Sequence, residues 1–219
     1  MSKKIHQLDT SQYQDKKLIA FDLYGTCIHR PEWIFHKSFT IDKDLKKVLE
    51  TNPIEMDQIE KGELVIDWIE VKLNKKILNK VKKDIAWILL YPEFLDTIQY
   101  LKSKWYRTAV VSNLAKPYEE PLKELIPQWT FDYSALSFEV WAMKPDYKIF
   151  EYLKNSSSLE YDEMVFVWDS MWSDIIWSWD LWMKPIHINR RHKLLPENME
   201  KRWINYIQIS TLDQLKDIL

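Results

Sequence analysis

Short apolar runs that close on a polar residue recur along this chain, with stretches of helical spacing between them. In KKLIAFDLYGT (Lys16–Thr26) the run ends on Asp22 and a glycine turn, the pattern of a buried parallel strand delivering a residue to its carboxyl end. RTAVVSN (Arg107–Asn113) and MVFVWD (Met164–Asp169) repeat it, and KPIHINR (Lys184–Arg190) and INYIQIS (Ile204–Ser210) predict a fourth and a fifth strand. Helical spacing fills Pro92–Lys104, Glu119–Ile126, Pro145–Asn155 and Leu212–Leu219. Alternating strands and helices predict an α/β fold, a Rossmann-like doubly wound parallel sheet of about five strands with both faces covered. Ligands of such sheets sit outside the carboxyl ends of the strands, where Asp22, Ser112 and Asp169 fall.

Roughly eighty residues separate the first two strands, too many for one crossover. Ile41–Leu90 carries apolar positions at helical spacing among lysines and glutamates, so residues 31–90 are expected to form a small inserted α-helical cap. Residues 1–30 and 91–219 then make the core. The lysine-rich NKKILNKVKKD (Asn74–Asp84) reads as a solvated helix face in preference to a nucleic-acid patch.

Charge narrows the partners. With 31 Lys+Arg against 33 Asp+Glu the formal charge is -2, so no global positive field recruits nucleic acid or a membrane surface, and a small molecule is the expected partner. The single cysteine, Cys27, excludes an internal disulfide. The polar opening MSKKIHQLDTSQYQDKK lacks the apolar centre of a signal peptide, and no apolar run approaches the ~18 residues that span a bilayer. A soluble, cytoplasmic protein is expected; the pattern specifies neither oligomeric state nor substrate.

Four separated pieces, FDLYGT at Asp22, VVSN at Ser112, MKPD at Lys144 and WDSMWSD at Asp169 and Asp174, stand in one order. Together they resemble the four motifs of the haloacid dehalogenase-like hydrolase superfamily, whose members carry inserted caps after the first motif. The resemblance implies that Asp22 is a nucleophile forming an aspartyl intermediate. It gives Ser112 and the backbone amide of Asn113 the task of binding phosphoryl oxygens at a helix start, and gives Lys144 that of screening the nucleophile and the developing charge. Lys144 precedes Pro145, which suits the first turn of the following helix. The implied cofactor is Mg²⁺, held by Asp22, the backbone carbonyl of Tyr24, Asp169 and Asp174; such a sparse carboxylate set suits that ion. Each residue alone has a plainer reading, as a turn, a cap or a surface lysine.

One position departs from the phosphatase pattern. The second acid, two residues after the nucleophile, is here Tyr24, and a phenol with an ordinary pKa near 10 is a poor base at neutral pH. Asp-x-Tyr-Gly-Thr is also the form of metal-independent 2-haloacid dehalogenases, so three readings stand. They are a Mg²⁺-dependent phosphatase of a small phosphorylated metabolite, favoured by Asp169, a dehalogenase-type hydrolase, and a noncatalytic binding protein of the same fold. His6, His29, His36, His187 and His192 form no ligand-spaced pair, and Cys27 reads as a small buried side chain.

Composition adds an anomaly. The chain has 2 glycines, where average usage of ~7% would give about 15, and 12 tryptophans. The resembled family carries glycine at the positions of Trp105, Trp141, Trp168, Trp177 and Trp182, whereas Trp172 and Trp179 match no such position. Trp182 stands after a helix and before Met183, Lys184 and Pro185, the place of a left-handed glycine cap. The expectation is that many of these tryptophans are glycines whose UGA codons were read in the wrong code.

Overall fold

Each predicted run becomes a strand. In chain order the strands are β1 (Leu18–Phe21), β2 (Leu64–Ile66), β3 (Ile69–Val71), β4 (Arg107–Ser112), β5 (Tyr133–Leu136), β6 (Met164–Trp168), β7 (Lys184–Ile188) and β8 (Ile207–Ile209). The structure, a computed structural model, describes residues 10–29, 43–61, 64–66, 69–71, 79, 86, 88–170, 180–190 and 206–219. Six strands form one parallel sheet ordered β5-β4-β1-β6-β7-β8, with β1 at its centre between β4 and β6. The order reverses beside β1, so the carboxyl ends of β1, β4 and β6 open on one crevice.

The helices are α1 (Ser11–Gln14), α2 (Lys43–Thr51), α3 (Met56–Lys61), α4 (Phe94–Ser103), α5 (Glu119–Leu125), α6 (Ser137–Val140) and α7 (Tyr147–Ser157). Alternate residues of β1 serve the two faces of the sheet. Leu18 and Ala20 join Ile149, Phe150 and Leu153 of α7, while Ile19 and Phe21 join Phe94, Ile98 and Leu101 of α4. Because both faces are covered, every residue of β1 and β6 is buried, and their sequences read as unbroken apolar runs.

The structure departs from the sequence pattern in four respects. A sixth strand, β5, flanks β4; it has only four residues, two of them outside the core, and gives no apolar run. The segment after Ile41 holds α2 and α3 but also the antiparallel hairpin β2-β3, where helices alone are expected. Leu212–Asp217 winds as a 3-10 helix. Asp146 caps α7, accepting a hydrogen bond from the Lys148 amide at 3.0 Å, so Lys144 and Pro145 precede the helix and do not form its first turn.

The chain leaves the core beside the point where it returns. Ile28 bridges Leu90, the His29 amide donates to the Leu89 carbonyl at 2.8 Å, and the Tyr91 amide donates to the Cys27 carbonyl at 3.0 Å. Among the described residues, no helix is long and apolar enough to cross a membrane.

Candidate active site

Asp22 follows the last residue of the central strand. Its amide donates to the Val167 carbonyl of β6 at 3.0 Å, extending the parallel ladder by one residue. Its Oδ1 accepts from the Leu23 amide at 2.8 Å and meets Lys144 Nζ at 3.1 Å. Asp22 is 7% and Lys144 3% exposed, so each charge is withdrawn from water on condition that the other is present. The turn that follows is tight, with the Thr26, Cys27 and Ile28 amides all donating to the Leu23 carbonyl.

Gly25 gives that turn its second function. Its φ is +80°, and a Cβ there would lie 2.1 Å from Asp169 Oδ2. A side chain is therefore excluded twice, by conformation and by space. The carboxylate of Asp169, delivered by β6, rests on the turn that carries Asp22 and Tyr24.

Lys144 is braced from behind. Asn113 Oδ1 accepts from the Lys144 amide at 2.6 Å, and Asn113 Nδ2 donates to the Lys144 carbonyl at 2.9 Å. A side-chain role for Asn113 is absent from the sequence reading, which uses only its backbone amide. Ser112 closes β4 and is 1% exposed, but it does not stand at a helix start. A loop follows it, pinned by the Leu114 amide donating to Ser137 Oγ and by Ser137 Oγ donating to the Leu114 carbonyl, and the first helical turn begins at Lys116.

Tyr24 occupies the turn between the two acids. Its ring meets Tyr118 edge-on at 6.4 Å between centroids and packs against the larger core cluster, with the hydroxyl buried. Asp174 lies outside the described residues. Asp22, Lys144, Asn113 and Asp169 are thus brought together, with Ser112 at the neighbouring strand end.

Two further residues support this arrangement and carry no motif. Arg190, just past β7, donates from Nη1 to Glu93 Oε1 at 2.6 Å and from Nη2 to the Thr26 carbonyl at 2.7 Å, with its guanidinium 3.4 Å from the centre of the Tyr91 ring. One side chain thereby ties the turn after Asp22 to the returning chain at Tyr91 and Glu93.

His187, on β7, holds Nε2 at 3.4 Å from the Asp169 carbonyl and Nδ1 at 3.3 Å from Gln208 Oε1. A carbonyl can only accept, so Nε2 carries the proton. Burial keeps the ring neutral by pushing its pKa below the ordinary value, against the weaker upward pull of Gln208 and Asp169. The unfolded chain accepts this proton near pH 6.5 and the folded chain resists it. Stability should therefore fall as pH drops from about 6.5 towards the lowered folded value, and level off below it. His187→Gln should flatten melting temperature against pH in that window, and equal slopes for the two proteins would exclude His187 as the cause.

Residues 19–185 match the family described as haloacid dehalogenase-like hydrolase. The glyceraldehyde 3-phosphate phosphatase of Methanothermobacter thermautotrophicus is 30% identical over 132 residues, which are 59% of this chain and 58% of that protein. The chain therefore aligns with less than two thirds of that relative's length. Among solved structures, a HAD phosphatase from Thermococcus onnurineus superposes with a TM-score of 0.62 at 21% identity, covering 92% of this chain and 97% of that one. A dehalogenase with an intermediate complex superposes at 0.67 with 16% identity, covering 94% and 97%. At such identities the two structures speak for the fold alone.

Proposed function

The chain belongs to the haloacid dehalogenase-like hydrolases, and within that family we propose a Mg²⁺-dependent phosphatase that acts on a small phosphorylated metabolite through Asp22. The observation that carries this reading is the second carboxylate. Asp169, delivered by the neighbouring strand, rests its carboxylate against the glycine turn that carries Asp22, so two acids from separate strand ends converge on one point of the crevice, a donor pair that suits a divalent cation. The relative named as a glyceraldehyde 3-phosphate phosphatase supports the same substrate class.

The oxygen donors fit magnesium. Asp22, Asp169 and the Tyr24 carbonyl would hold it, with Asp174 as a supporting acid, and the ion when bound would neutralise phosphate charge. The remaining steps belong to the chain. Lys144 orients Asp22 and screens it from the approaching anion. An Asp22 oxygen attacks phosphorus, the bond from phosphorus to the ester oxygen breaks, and the leaving alkoxide takes a proton from water. A second water then attacks the aspartyl phosphate, releasing inorganic phosphate and restoring Asp22.

Tyr24 is the observation that favours the dehalogenase reading, since it stands, buried against Tyr118, in place of the acid that would protonate an ester leaving group, and halide leaves without a proton. One experiment separates the readings: p-nitrophenyl phosphate, glyceraldehyde 3-phosphate and 2-chloropropionate, each with and without Mg²⁺. Phosphate release that requires Mg²⁺ is expected. Metal-independent chloride release would replace this reading with the dehalogenase one, and no turnover of any substrate would leave the binding-protein reading.

A further inference from the structure

Five tryptophans fall among the described residues: Trp105, Trp129, Trp141, Trp168 and Trp182. Three have left-handed backbones, Trp105 at φ 69°, Trp141 at φ 59° and Trp182 at φ 68°. Only a few per cent of non-glycine residues adopt positive φ, and for a bulky side chain it is an outlier. Among the described residues, Ser158 is the one other non-glycine residue that does so.

The local hydrogen bonds identify what the backbone is doing. After α4 and its cap Lys104, the Trp105 amide donates to the Lys102 carbonyl at 3.0 Å and the Tyr106 amide to the Leu101 carbonyl at 3.1 Å. This pair of bonds is the Schellman motif, in which the residue at position 105 is usually glycine; buried Leu101 and Tyr106 supply its accompanying apolar pair. Trp141 likewise caps α6 in the left-handed conformation. Nor do these indoles contribute to a core, because they are 93%, 65% and 79% exposed at 105, 141 and 182. The hairpin adds an independent sign. Ile66 pairs with Ile69, leaving two residues between the strands, and the sequence there reads Asp-Trp where such connections favour Asp-Gly.

We infer that positions 105, 141 and 182 are glycine in the working protein, written as tryptophan because UGA encodes glycine in some bacteria and tryptophan in others. The backbone does not extend this assignment to Trp168. It ends β6 in extended pairing with His187 and is fully buried. Its conformation does not require glycine, although its buried indole N–H meets no hydrogen-bond acceptor among the described residues. Trp172, Trp177 and Trp179 lie outside the described residues.

Comparing glycine with alanine isolates the backbone requirement from simple loss of bulk. At 105, 141 and 182 the Trp→Gly variant should melt above the matching Trp→Ala variant by about 2–8 °C, since a left-handed L-residue costs about 1–2 kcal/mol and each kcal/mol moves Tm by about 2–4 °C. At Trp129, whose φ is not positive, the order should reverse. Alanine equalling or exceeding glycine at the three sites would overturn the backbone requirement. Tandem mass spectrometry of the protein from its source cells tests identity directly: glycine at the three positions is expected, and tryptophan at any of them overturns the assignment there. Both readouts are independent of phosphatase activity.

Discussion

Asp22→Asn should lower the rate of phosphate release by roughly 10⁴–10⁶-fold, the scale seen when a hydrolase loses its nucleophile. The amide keeps the oxygen that accepts from the Leu23 amide, so the start of the turn has no reason to rearrange. It removes the anion that attacks phosphorus and the counter-charge that Lys144 meets at 3.1 Å. Leaving Lys144 buried without that charge costs about 3–5 kcal/mol, so the rate must be referred to folded protein, measured by near-UV circular dichroism. A trapped phosphoenzyme sharpens the test. Wild-type chain quenched in acid during turnover should carry one labelled phosphate, because Tyr24 offers no efficient base for its removal, and the Asn variant should carry none. More than about one per cent residual activity in folded Asp22→Asn would move the nucleophile elsewhere.

The central sheet was legible because its strands are covered on both faces, which writes β1, β4 and β6 as plain apolar runs. Asp22, Lys144 and Asp169 were legible for a related reason: each closes a strand or precedes a helix within a short motif. β5 was not, since four residues with only two in the core leave no periodic signal. The hairpin β2-β3 was concealed by its own connection, in which Asp67-Trp68 stands where Asp-Gly would have announced a turn. The supporting side chains are hidden differently. Asn113 reaches Lys144 across 31 residues, His187 reaches Asp169 across 18, and Arg190 reaches Glu93 and Thr26 across 97 and 164. No local pattern encodes those partnerships, because they exist only after the parallel order of the sheet has brought distant strand ends side by side.

Arg190→Ala should destabilise the fold by about 3 kcal/mol, the low end of the range for breaking a buried ion pair, because roughly a tenth of each partner remains exposed. At about 2–4 °C per kcal/mol, Tm falls by about 6–12 °C. The cause is less the lost attraction than the weakened acceptors, since the Thr26 carbonyl loses a donor and Glu93 Oε1 loses its charged one, keeping the Leu212 amide at 3.4 Å. Burial alone raises the Glu93 pKa, but hydrogen bonds from its own amide and from Arg190, with the guanidinium charge, hold it below the ordinary carboxylate value. That lowered value contributes stability above the unfolded pKa, near 4.3, which is lost as pH falls through the folded one. In Arg190→Ala this acid-side loss should shrink, so the two proteins should converge in Tm as pH drops below about 4. Arg190→Lys should recover part of the charge effect but neither the two-pronged contact nor the face-on stack over Tyr91. Because the same guanidinium holds the turn behind Asp22, kcat should fall in both variants at temperatures where they remain folded. Full kcat in folded Arg190→Ala would confine Arg190 to stability.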